Sequence, residues 1–340
     1  VIRSLGDSQD IRATRRCLSA LGAGLEELGP GVVRVHGLGN GIVMAPPYAL
    51  LDCGESGSTL RFLIPVALLA QGKASFTGHG RLMERPLKPY EDLFREKGIA
   101  WELKNGVLTV DGGRGYDRLA LDPGEYRLPG DVSSQFFSGL LFVLPLLEGD
   151  SLLVSTTRLE SVGYVNMTRQ AMAAFGVETK WTKEGIFIPG NQTYRPADRA
   201  VEADWSQAAF WYAAQGTGSD VTVTGMNEGS LQGDRVILDW GRLLRGAPLS
   251  QGVRGPIWGR ARRGPVQLPH NVPRRYAVSI DVSQAPDLVP PLAAWGALTP
   301  GCDLYIKNAA RLRMKESDRL STVTEVLSAL GAEVIEEADR

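Results

Sequence analysis

Cysteine and histidine are scarce in this 340-residue chain, with three of each, and neither sign of charge is in excess. Its three cysteines, Cys17, Cys53 and Cys302, lie far apart and form no CxxC or Cys/His cluster. That excludes a disulfide framework and a zinc site, and fits a reducing cytoplasm. Lysine and arginine number 37 against 38 acids, a formal charge of −1, so no net field draws the chain to nucleic acid or an anionic membrane. The longest apolar stretch, near Leu140 to Leu147, falls far short of the ~20 residues that span a bilayer. No GxxxxGK[ST] occurs, and no GxGxxG follows a strand-like run, so the loops that cradle nucleotide cofactors are missing. An initiator methionine is missing too. The chain opens at Val1 in strand-like residues, as a piece of a longer protein would.

What is present is ordinary for a soluble chain, 43% hydrophobic and 22% charged residues. About twice the usual single-domain length argues for two domains. A helix-like segment that closes on glycine and runs into strand-like residues occurs five times, at Gly22, Gly98, Gly176, Gly246 and Gly331. A second landmark, an apolar helix followed by glycine and a β-rich run, alternates with it at Gly72, Gly149, Gly218 and Gly301. Glycine just past a helix is the left-handed cap position. The near-equal spacing predicts an α/β repeat of two helices and several strands per unit, too long for a solenoid.

Six short segments carry the candidate chemistry. DCGESGSTLR (52–61) is a Gly/Ser-rich turn entering an apolar helix; such a turn presents N–H groups to phosphate or carboxylate, or merely caps the helix. RLMERP (81–86) sets two arginines four apart, either an anion clamp or a solvated pair. GDVSSQF (130–136) precedes another apolar helix. Ser133 or Ser134 suits the N-cap, and the other serine with Gln135 exceeds what a cap needs. SVGY (161–164) offers Tyr164 as a contact or as a buried, satisfied phenol. APDL (285–288) puts Asp287 at the mouth of an apolar helix, as a ligand or a cap.

In RLRMKESDRL (311–320), Lys315 and Arg319 stand four apart at a helix start. Sharing a face, they call for an anion between them, and Glu316 is a candidate acid/base whose proton affinity those cations tune. A solvated charged helix is the alternative. Together the segments form an anion-binding set of arginines, lysines, serine hydroxyls and helix starts.

In this order and spacing the segments resemble the 5-enolpyruvylshikimate-3-phosphate synthase family, the 3-phosphoshikimate 1-carboxyvinyltransferases. GDVSSQF, RLMERP, QAPDLVP and RMKESDRL are the most specific pieces, and the resemblance runs from Val1 to Arg340. It implies an α/β, two-domain enolpyruvyl transferase fold. Each domain is built from βαβαββ units as an inside-out α/β barrel, with the substrate cleft between them. Residues 1–200 would form the domain on the shikimate 3-phosphate side and 201–340 the second. The implied reaction transfers the enolpyruvyl group of phosphoenolpyruvate to the 5-hydroxyl of shikimate 3-phosphate and releases phosphate, on the route to chorismate and aromatic amino acids. It implies a cytoplasmic monomer with no cofactor and no metal.

Carried over by position, Ser133, Ser134, Gln135, Ser161 and Tyr164 resemble the shikimate 3-phosphate contacts. Asp287 resembles the carboxylate that holds the ring hydroxyls and deprotonates the attacking one. Lys315 and Glu316 resemble the Lys-Glu pair of the site, with Glu316 shuttling a proton to the methylene of phosphoenolpyruvate. Gly57, Gln135, Arg85 and Arg319 resemble the phosphoenolpyruvate contacts. Gly57 further implies that glyphosate would occupy that subsite.

The family's Lys-Ser…Arg motif would precede Val1, and its Asp-His-Arg motif and late lysine would follow Arg340, so this piece made alone is expected to be inactive. Glu55-Ser56 replaces the usual Asn-Ala, and Arg311 stands where many members have asparagine, so it receives no ligand role. Residues 247–275 carry six arginines and no acid, which reads as a basic excursion or a local reading-frame error. A UDP-N-acetylglucosamine enolpyruvyl transferase would want a reactive cysteine at Gly80. An RNA-terminal phosphate cyclase relative would want a nucleophilic histidine, for which His36, His79 and His270 offer no setting. A non-catalytic anion-binding fragment is the remaining alternative.

Overall fold

The five repeat glycines all adopt left-handed backbone, with φ between 75° and 104°, the conformation that ends a helix without a Cβ clash. They punctuate a computed structural model that describes residues 1–39, 50–113, 121–246, 262–264 and 275–339. The chain divides into two compact units, residues 1–160 with 164–201, and residues 161–163 with 202–340.

The first unit opens with β1 (Ile2–Arg3), α1 (Gln9–Ala20), β2 (Gly24–Gly29) and β3 (Val32–His36). A full βαβαββ repeat follows as β4 (Leu50–Asp52), α2 (Gly57–Gln71), β5 (Lys73–Thr77), α3 (Lys88–Glu96), β6 (Ala100–Lys104) and β7 (Val107–Asp111). The next is β8 (Gly124–Leu128), α4 (Gln135–Val143), β9 (Ser151–Ser155), α5 (Val162–Ala174), β10 (Lys180–Trp181) and β11 (Ile186–Ile188), after which β12 (Arg199–Ala200) returns beside β1. The sheets run β4-β5-β7-β6 and β8-β9-β11-β10, and β12-β1-β3-β2 copies them. In each, the first pair is parallel and the others antiparallel. A parallel neighbour needs a crossover, so β12, arriving from the end of the unit, takes the first-strand place beside β1.

Helices α2 and α4 are apolar nearly all round, so both are buried, as an all-round apolar helix must be. Leu60, Ile64, Leu68, Phe136, Phe137 and Leu141 fill the core between the sheets, each contributing about 1.5–3 kcal/mol by leaving water. The two helices approach closely at Gly139, where a Cβ would overlap Tyr90 Oη and lie 2.5 Å from the Arg61 carbonyl. Pro65 in α2 has no N–H for that carbonyl. The close approach therefore packs α4 against a helix surface already missing one internal bond.

The second unit holds α6 (Trp205–Gly216), α7 (Ile237–Leu244), β13 (Arg262–Gly264), β14 (Tyr276–Asp281), α8 (Val289–Ala297), β15 (Cys302–Lys307) and α9 (Arg319–Ala329). Strands β14 and β15 pair in parallel and β13 joins antiparallel. Its separate core is built on Trp205, Ile237, Trp240, Leu292 and Trp295.

Two expected strands differ. Residues 221–224, with alternating apolar and polar character, and residues 333–337 after Gly331 form no strand. A strand satisfies its main chain only through a neighbour, and the described residues pair none with them. Most of the basic stretch 247–275, and with it His270, lies outside the described residues; of its arginines, Arg275 is exposed and faces Asp303 at 3.7 Å.

Candidate functional site

In the first unit the chemistry gathers where α2 begins. Ser56 caps the helix, its Oγ accepting the Thr59 N–H at 3.2 Å, so the Glu55-Ser56 departure supplies a cap that alanine could not. Gly57 is the first helical residue, and the Arg85 guanidinium lies directly over it. A Cβ at position 57 would stand 2.5 Å from Arg85 Nη1. Arg85 is 8% exposed. Arg81 is exposed and faces Glu84 at 3.8 Å, so of the two arginines only Arg85 is buried against Gly57. The three-residue 3₁₀ turn Leu82–Glu84 lies between them, and Arg85 follows it in extended backbone.

Arg61 joins this group to the serine segment. It sits four residues after Gly57, on the same face of α2. Its Nη1 donates to Gln135 Oε1 at 2.7 Å and its Nη2 to the Pro86 carbonyl at 3.2 Å. The guanidinium also lies 5.1 Å from the Phe136 ring centroid. The cap of α4 differs from a simple serine N-cap. Ser134 occupies the cap position in helical backbone and makes no capping bond, while Ser133 Oγ accepts the Gln135 N–H at 3.3 Å. Ser134 is buried. Tyr164 lies in the first turn of α5, half-buried, and its carbonyl accepts the Thr168 hydroxyl.

The second unit brings together Asp287, Lys315, Glu316 and Arg319. Asp287 sits in the 3₁₀ turn Pro286–Leu288 and caps nothing. Its Oδ1 accepts from Arg319 Nη1 at 2.5 Å and lies 3.5 Å from Lys315 Nζ. Arg319 Nη2 donates to Glu316 Oε2 at 3.0 Å. Lys315 is not on a helix: it is extended and precedes α9, whose cap is Asp318 and whose first residue is Arg319. The two cations therefore do not share a helix face. They converge because the turn into α9 folds both onto Asp287, and that carboxylate is the anion their pairing calls for.

Burial pushes the Asp287 carboxyl up, but Lys315 and Arg319 outweigh it and hold the group below its ordinary range. Burial drives the Lys315 ammonium down; Asp287 opposes this, and Arg319 and Arg311 reinforce it. Arg313 braces the turn by bonding Asp318 at 2.9 Å and Glu336 at 2.7 Å. Ser161, 3% exposed, belongs with this unit and accepts from Arg311 Nη2 at 3.2 Å.

The structure thus brings Gly57, Arg85, Ser133 and Gln135 into one group around Arg61, and Asp287, Lys315, Glu316 and Arg319 into another beside Arg311 and Ser161. Sequence reasoning gave Arg61 no role of its own and withheld a ligand role from Arg311. The first had a signal, its four-residue spacing from Gly57; the partner of the second is 150 residues away, beyond what local spacing reports.

The EPSP synthase family, 3-phosphoshikimate 1-carboxyvinyltransferase, matches residues 1–340. The chain is 42% identical over 341 residues to the 3-phosphoshikimate 1-carboxyvinyltransferase of Clostridium kluyveri, covering 99% of this chain and 74% of that one. It is 40% identical over 339 residues to the enzyme of that name from Clostridium acetobutylicum, with the same coverage. Among solved structures, an EPSP synthase from Acinetobacter baumannii superposes with a TM-score of 0.70 at 22% identity, over 99% of this chain and 74% of that chain. The enolpyruvyl transferase NikO from Streptomyces tendae gives 0.53 at 15% identity, over 90% and 69%. The fold is the two-domain enolpyruvyl transferase fold.

Proposed function

The chain belongs to the EPSP synthase family, and we propose that it transfers the enolpyruvyl group of phosphoenolpyruvate to the 5-hydroxyl of shikimate 3-phosphate, releasing phosphate, in chorismate and aromatic amino acid biosynthesis. The family match decides against the UDP-N-acetylglucosamine alternative. The observation that carries the chemistry is the group in the second unit, where Lys315, Arg319 and Arg311 outnumber Asp287 and Glu316. A site with surplus positive charge suits two polyanionic substrates.

In this reading Ser133, Ser134, Gln135, Ser161 and Tyr164 hold shikimate 3-phosphate, and Gly57, Arg85, Gln135 and Arg319 hold phosphoenolpyruvate. Asp287 accepts the ring hydroxyls. It also takes the proton of the attacking 5-hydroxyl, with Lys315 Nζ 3.5 Å from its Oδ1 to steady the charge. The oxygen then attacks C2 of phosphoenolpyruvate while Glu316 delivers a proton to C3, giving a tetrahedral adduct. Loss of phosphate from C2 and return of the C3 proton to Glu316 complete the transfer. Positioning and charge neutralisation supply most of the rate, and a placed acid/base about 10²–10⁴-fold.

The functional domains we propose are 1–200 and 201–340, in keeping with two separate cores. We further propose a cytoplasmic monomer. Cys17, Cys53 and Cys302 are free thiols, as a reducing compartment leaves them. Among the described residues no helix is long and apolar enough to cross a membrane.

Isothermal titration of the purified chain with shikimate 3-phosphate tests the reading. Heat is expected with wild type and lost in Ser134→Ala and Lys315→Ala; no heat from folded wild type would overturn it.

A further inference from the structure

Ser161 is held in an unusual way. Its φ is 54°, in the left-handed region that non-glycine residues rarely enter. Of the other non-glycine residues described with positive φ, Asn105, Asn191 and Asn308 are asparagines, the type that tolerates it best, and Ser4 is exposed near the start of the chain. Ser161 has no such tolerance and is buried. A strained residue persists where its surroundings over-determine it, and two contacts do so. Arg311 Nη2 donates to Ser161 Oγ at 3.2 Å while also donating to the Ser283 carbonyl at 2.5 Å. The next N–H, of Val162, donates to Gln284 Oε1 at 3.0 Å.

Resting on the function proposed above, we infer that Arg311 is a positioning residue for the phosphate end of the sugar-acid substrate, acting through Ser161. A guanidinium carries five donors and no acceptor. Ser161 Oγ must therefore accept from Arg311, and its single proton is left to point elsewhere. A phosphate oxygen, which only accepts, takes that proton. An amide at position 311 both gives and receives, so it would leave the hydroxyl free to turn its lone pairs toward the anion. Arg311 thus sets the polarity of Ser161 and fixes its strained backbone with one contact.

The test is titration of shikimate 3-phosphate into wild type, Arg311→Gln, Arg311→Lys, Ser161→Ala and the Ser161→Ala/Arg311→Gln double variant, each checked for cooperative unfolding. The loss of a bond to a charged group corresponds to about 10- to 100-fold, which is the weakening expected of Arg311→Gln. Arg311→Lys, which donates only, should recover part of it, and the double variant should bind no more weakly than Ser161→Ala alone. Binding by Arg311→Gln equal to wild type, equal losses in Lys and Gln variants, or losses that multiply in the double variant would each overturn the inference. Wild type that binds no shikimate 3-phosphate would remove the functional reading itself, and this inference with it.

Discussion

Asp287 and Arg319 share a hydrogen bond of 2.5 Å, with Lys315 Nζ 3.5 Å from the same carboxylate oxygen. The pair decides the electrostatics of the second unit's site, because it lets two cations stand together before any substrate arrives.

Replacing Asp287 with asparagine removes the charge that Lys315 and Arg319 both face at that oxygen, and with it the acceptor proposed for the ring hydroxyls. Shikimate 3-phosphate should bind about 10- to 100-fold more weakly, read by isothermal titration. A change under threefold would remove Asp287 from the substrate contacts.

Gly57→Ala should act on phosphoenolpyruvate and spare the other substrate. The added methyl lies 2.5 Å from Arg85 Nη1, so the guanidinium must shift. The expected result, read by isothermal titration, is weaker phosphoenolpyruvate binding to the shikimate 3-phosphate complex with shikimate 3-phosphate binding itself unchanged; equal weakening of both would contradict the assignment.

The pH dependence has a definite sign. Asp287 is lowered from 3.8 and Lys315 from 10.5. Between each folded value and its ordinary one, the unfolded chain holds the extra proton, so stability rises with pH across both windows. Asp287 stabilises above its ordinary range, and that contribution is lost as acid takes the pH down through the folded value. The cost of burying charged Lys315 is relieved as pH climbs toward 10.5. Urea melts of wild type should show this alkaline rise, and those of Lys315→Met should lack it. A retained rise would assign it to another group.

Gly139→Ala tests the α2–α4 contact. Its methyl would overlap Tyr90 Oη and press on the Arg61 carbonyl, an overpacking cost of about 1–3 kcal/mol. Thermal melting should drop accordingly. An unchanged melting temperature would show that the helices can separate freely.

Local chemistry was legible in the chain alone. The repeat glycines announced the helix ends, because only glycine enters left-handed backbone without penalty. Two helices and several strands per unit followed from their spacing, the βαβαββ order came with the family resemblance, and the serine, arginine and Lys-Glu segments pointed to an anion site through residue type. What the chain did not disclose was pairing at a distance. That β12 closes the first sheet, that residues 221–224 stay unpaired, that Arg85 is buried while Arg81 is exposed, and that Lys315 meets Arg319 on Asp287 instead of along a helix all depend on which backbone lies alongside which. Arg61 on Gln135 and Arg311 on Ser161 join residues 74 and 150 positions apart. Side-chain periodicity reports only neighbours within a turn or a strand, so contacts of that range exist only once packing has closed the chain.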